Sequence, residues 1–103
     1  MKETNIQQLI RIEASKHGFR LWRNHVGGLY DGDGRFHKFG LCKGSSDLIG
    51  ISPDGRFVAI EVKMPGEKPT KEQVIFIQYV QSMGGIAGVA DSVDSFLKII
   101  VDE

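Results

Sequence analysis

Several features are missing from this chain, and each absence narrows what it can be. It has a single cysteine, Cys42, so no internal disulfide can form. The spacing of Cys42 from His25 and His37 matches no standard zinc site, which leaves a buried or idle thiol. No apolar run approaches the ~20 residues of a membrane span, and Met1-Lys2-Glu3-Thr4-Asn5 lacks a signal peptide's apolar stretch. A soluble, cytoplasmic protein with no membrane partner is expected. There is no glycine-rich phosphate loop, no repeat, no low-complexity segment and no linker.

Net charge is also lacking, since 13 basic residues balance 13 acidic ones. Its distribution is more informative. Residues 19 to 46 hold Arg20, Arg23, Arg35, Lys38 and Lys43 against Asp31 and Asp33, whereas residues 84 to 103 hold Lys98 against Asp91, Asp94, Asp102 and Glu103. A basic flank of that kind suits a phosphate backbone and reads equally as a solvated edge. At 103 residues, with 41% hydrophobic and 25% charged, residues 1–103 are expected to form one small globular domain.

The most informative stretch runs from Gly44 to Met64. Leu48-Ile49-Gly50 and Phe57-Val58-Ala59-Ile60-Glu61-Val62 are apolar, β-branched runs, and Pro53-Asp54-Gly55 between them is a turn, so a β-hairpin is expected. Asp47, Glu61 and Lys63 sit in or beside these runs. Alternation places Glu61 and Lys63 on one strand face with Ala59, and Ile60 and Val62 on the other. Charges inside an apolar strand are costly unless paired or bound to a metal, although a lone Glu-x-Lys is more often a solvated pair. Asp47 on the adjacent strand shifts that balance, because two acids closing on one point supply the oxygen ligands that Mg²⁺ takes.

Ser46-Asp47 followed by Glu61-Val62-Lys63 resembles the core motif of the PD-(D/E)XK nucleases, with Ser46 where proline is usual. With Pro65-Gly66 and Gln73 following, the chain is most similar to the VRR-NUC (virus-type replication and repair nuclease) branch, from the first helix to about Val89. The resemblance implies a restriction-endonuclease-like α/β core, a mixed central sheet flanked by helices. It implies Asp47 and Glu61 as ligands of Mg²⁺ or Mn²⁺, with the Val62 carbonyl completing the set, and Lys63 as general base or electrostatic stabiliser. It also implies an acid on the first helix near the metal and a substrate-positioning role for Gln73.

Along the chain, Thr4 or Asn5 can cap a first helix whose stripe is Ile6, Leu9, Ile10, Ala14 and His17. Glu13 falls on that stripe, pointing inward to the metal or, from the stripe's edge, out to water; Gln7, Arg11 and Ser15 fall on the opposite face. Phe19 to His25 alternates as a strand that Gly27-Gly28 breaks. Residues 24 to 44 form a loop or small hairpin whose Tyr30, Arg35, Phe36, His37, Lys38 and Phe39 suit nucleic acid or a dimer interface. Thr70 and Gln73 form a capping box opening a second helix with Gln73, Phe76, Ile77, Val80 and Met83 inward. Ile86 to Ala90 is a buried strand, and Ser92 caps a last helix.

The expected function is therefore a Mg²⁺-dependent deoxyribonuclease, an endonuclease acting on branched DNA such as a four-way junction and working as a homodimer. Catalysis is assigned to Asp47, Glu61, Lys63, Glu13 and Gln73, and DNA contact to Arg20, Arg23, Arg35, Lys38 and Lys43. The alternative is a non-catalytic DNA-binding module that keeps the nuclease fold.

Overall fold

The computed structural model describes residues 2 to 101. Helix α1 (Glu3–Lys16) leads to β1 (Arg20–Arg23), then to a hairpin of β2 (Gly27–Tyr30) and β3 (Phe36–Phe39). Strands β4 (Leu48–Ile51) and β5 (Phe57–Val62) follow, then α2 (Lys71–Ser82), β6 (Ile86–Ala90) and α3 (Val93–Val101). The main sheet has the order β1-β4-β5-β6 and is mixed: β5 and β6 run parallel, the other pairs antiparallel. That is the expected α/β architecture.

Each face of the sheet buries its own set of side chains. Val58, Ile60 and Val62 of β5 join Ile6, Ile10 and Ala14 of α1 and Phe96 of α3 in one cluster. Ala59 joins Ala87 of β6 and Ile77 and Val80 of α2 in the other. The period of two along β5 thus feeds both cores, so the strand is buried on both sides and nearly continuous in apolar character. Close approach is enforced at Gly50, where a Cβ would lie 1.8 Å from the Arg20 carbonyl of β1.

Helix ends follow ordinary capping chemistry. Thr70 accepts the Gln73 N–H at 3.2 Å while Gln73 accepts the Thr70 N–H at 2.8 Å, the expected capping box. Ser92 Oγ accepts the Ser95 N–H at 3.1 Å and caps α3. At α1, however, Lys2 occupies the cap position with no side-chain bond, so the helix begins ahead of Thr4 and Asn5. Met83 lies past the end of α2 and is 73% exposed, not inward. The first strand stops at Arg23, as a break by Gly27 and Gly28 requires, and the two glycines themselves open β2, where the rings of Phe39 and Phe36 lie across them in the place of Cβ atoms.

Candidate active site

The register of the β4–β5 pair aligns Leu48 with Ile60, and one step further brings Asp47 opposite Glu61. Asp47 is fixed there by two contacts. Its Oδ2 accepts the Val62 N–H at 2.9 Å, and its carbonyl accepts the Asn24 N–H at 2.7 Å. Asn24, itself buried, donates from Nδ2 to Ser45 Oγ (2.7 Å) and to the Ser46 carbonyl (2.9 Å) while its Oδ1 accepts the Leu41 N–H (2.9 Å). One side chain therefore ties the end of β1 to the turn that carries Asp47.

Glu61 is 2% exposed, and its Oε2 stands 3.6 Å from Lys63 Nζ. Its Oε1 is buried and has no partner. Burial pushes the Glu61 carboxyl up to about 8, helped by the neighbouring Asp47 carboxylate; Lys63 opposes the rise. A buried carboxylate with an unsatisfied oxygen beside a second carboxylate is short of positive charge. A divalent cation would supply it, and this pair fits Mg²⁺, which is held by one or two carboxylates and keeps several waters. Among the described residues no three His, Cys, Asp or Glu side chains close around one point, so such an ion would lean on this pair and on water. Asp47 and Glu61 would hold it, and it would supply Lewis-acid charge and a more acidic bound water.

The first-helix acid facing the site is Glu3. Glu13 is held elsewhere: its carboxylate lies 3.1 Å from His17 Nε2 and 3.6 Å from Lys16 Nζ, and the His17 contact holds it below the usual carboxylate range. The physical reason lies in the helix phase. At 100° per residue, Ile10, Ala14 and Gln7 stand at about 40°, 80° and 100° from Ile6, Glu3 at about 60° and Glu13 at about −20°. The buried residues of α1 are Ile6, Gln7, Ile10 and Ala14, which centres the inward face near Glu3. Gln7, expected outside, is inside. Leu9, expected inside, is exposed. Burial raises the Glu3 carboxyl above its ordinary value, the Asp47 charge adds to this, and Lys63 and the nearby Gln7 amide oppose it.

Glu3, Thr4, Gln7, Arg23, Asn24, His25, Ser45, Asp47 and Gln73 line a cleft of about 440 Å³ at this end of the sheet. Gln73 reaches it with its Oε1 already taken by Thr70, which leaves the amide NH₂ to offer. Of the five basic residues expected to meet DNA, Arg23 lines the cleft. Arg20 lies at the far end of β1, in a separate depression with Arg11 and Phe19. Arg35 and Lys38 are exposed on the β2–β3 hairpin, and Lys43 lies beside Glu72 and Tyr79 of α2. His25, stacked on Phe39 with ring centroids 5.4 Å apart, is an unanticipated cleft residue. Its signal in the sequence was only its place at the end of β1 beside Asn24.

Asp47, Glu61 and Lys63 thus meet at one end of the mixed sheet, and a match to a nuclease family makes the chain a nuclease-type DNA-processing domain. The sequence matches the model of the VRR-NUC domain over residues 1–94, and the chain belongs to that family. A solved structure described as a VRR-NUC domain shares the fold, with a TM-score of 0.66 and 23% identity over 95% of this chain and 92% of the other. Among curated proteins none matches the sequence.

Proposed function

We propose that this domain hydrolyses DNA phosphodiester bonds with Mg²⁺, for which Mn²⁺ can substitute. The observation that carries the reading is the buried, unpartnered Glu61 Oε1 beside Asp47, with Lys63 Nζ 3.6 Å from the other oxygen. Buried charge arranged in this way destabilises a fold and is retained where chemistry uses it. Lys63, 17% exposed, can orient the attacking water or neutralise charge growing on the phosphate. Gln73 and Arg23 line the cleft with Asp47, and their amide and guanidinium can hold phosphate oxygens against the negative site.

The finer reading is an endonuclease selective for branched DNA and acting as a homodimer. The β2–β3 hairpin leaves Leu29, Tyr30, Phe36 and Leu41 at least half exposed, and a specific interface needs on the order of 800 Å² per partner. A two-fold pair of sites suits a substrate of matching symmetry such as a four-way junction. Cleavage of labelled junction, flap and linear duplex in Mg²⁺, Mn²⁺ and chelator, with solution mass by light scattering, tests both parts. A dimer cutting junctions first, only with metal, is expected. Cleavage in excess chelator would overturn the metal mechanism, and a monomer preferring flaps the resolvase version; binding without cleavage would favour the DNA-binding module.

A further inference from the structure

Gln7 is the one amide on the inward face of α1, and it is 6% exposed. Its Oε1 is buried and has no hydrogen-bond partner. An unsatisfied buried carbonyl is destabilising, so a helix gains nothing from it structurally, and leucine or methionine would fill the space better. Gln7 also lines the Asp47 cleft, together with Glu3 one helical turn before it. Residues four apart on a helix are neighbours on its surface. Gln7 thus lines the acidic site while its buried Oε1 leaves its acceptor capacity unused.

We propose that Gln7 is a positioning residue of the nuclease site: its Oε1 accepts a hydrogen bond from water held in the cleft, and its amide NH₂ steadies the Glu3 carboxylate. Glu3 and Gln7 together then form an outer layer on the α1 side, facing the Asp47–Glu61 pair across that water. Such a layer orients the waters that a cation keeps, and loss of comparable outer partners costs about 10–100-fold in metal affinity or activity. This rests on the nuclease reading above. The sequence hides the role because Gln7 looks like a surface residue until the helix phase is known.

The test is Gln7→Met, which keeps the volume and removes both polar groups. Mg²⁺ affinity of the free protein is measured by calorimetry, with thermal unfolding and single-turnover cleavage beside it. The expected result is an unfolding temperature at or above wild type, with Mg²⁺ affinity and cleavage each down roughly tenfold or more. A double variant with Glu3→Gln should lose little more than the worse single variant, because the two act on the same water. Unchanged Mg²⁺ affinity with lowered stability would make Gln7 merely structural and overturn the proposal, as would fully multiplicative losses with Glu3→Gln. If Gln7→Met does not fold, Gln7→Asn, which withdraws the oxygen but keeps the amide, must show the same loss of affinity; wild-type affinity would overturn the proposal. A wild-type protein that neither binds Mg²⁺ nor cleaves DNA would overturn the nuclease reading as well, whereas an active wild type matched by Gln7→Met removes only the role of Gln7.

Discussion

Asp47 Oδ2 accepts the main-chain N–H of Val62 at 2.9 Å, so the first acid of the motif is hydrogen-bonded to the strand that carries the second. The bond makes Asp47 structural as well as chemical. Asp47→Ala would leave the Val62 N–H without its partner, and a buried donor in that state costs about 1–3 kcal/mol. Asp47→Asn keeps an acceptor oxygen. Chemical denaturation should show Asp47→Ala less stable than wild type by about that amount and Asp47→Asn much closer to it, with cleavage lost in both. Equal stability of the two variants would mean that the bond contributes nothing.

The raised Glu61 carboxyl makes stability depend on pH. The group has an ordinary value of 4.5 and is pushed to about 8 in the fold. Between those values the folded state binds the extra proton, so stability without metal is fully present below pH ~4.5 and is lost as pH rises through about 8. Thermal unfolding of the metal-free protein should fall over that window. Glu61→Gln should flatten the fall, and so should saturating Mg²⁺, which favours the ionised form. A wild-type profile as flat as that of Glu61→Gln would show that burial does not hold the proton there.

Lys63 is the only cation that lies within salt-bridge distance of Glu61 among the described residues. Replacing it with methionine keeps the stem and removes the charge, which leaves Glu61 more protonated and the site without its ammonium. Cleavage should drop at least 100-fold, the lower end of the effect of losing a positioned acid, base or charge stabiliser. DNA affinity in the absence of metal should change little. A rate within a few-fold of wild type would remove Lys63 from the chemistry.

The exposed hairpin side chains offer a check on assembly. Tyr30, 70% exposed, stacks edge-on with Phe36 at 5.1 Å. Charged residues at both positions leave the main sheet untouched, because β2 and β3 form a sheet of their own. Tyr30→Glu with Phe36→Lys should convert a dimer to a monomer by light scattering while circular dichroism stays unchanged. A dimer that survives the double change places the two-fold elsewhere, for which the exposed Ile75 and Tyr79 of α2 and Met83 just past its end are available.

Much of this arrangement was legible in the residues. Pro53-Asp54-Gly55 between two β-branched runs has one reasonable reading, and alternation along β5 then puts Glu61 and Lys63 on one face, as found 3.6 Å apart. The capping box at Thr70 and Gln73 was equally plain, because its chemistry is local. The first helix was not. Its start was read at Thr4 or Asn5, which put Glu3 outside the helix, and its apolar stripe was broad enough to admit a phase that turned Glu13 inward. Tertiary packing against β1 and β5 sets that phase, and no residue of α1 alone reports it. Between the loop and the small hairpin open for residues 24 to 44, the sequence alone did not choose, since the rings that cover Gly27 and Gly28 come from the opposite strand.

Whether Asp47 and Glu61 hold the cation that DNA cleavage needs is decided by a single comparison. Mg²⁺ binding by calorimetry and single-turnover junction cleavage are compared in wild type, Asp47→Asn and Glu61→Gln, with folding monitored in each. Wild type should bind Mg²⁺ and cleave, and both variants, still folded, should lose binding and cleavage together. Cleavage at the wild-type rate by either variant, or Mg²⁺ binding unaffected by both, would contradict it.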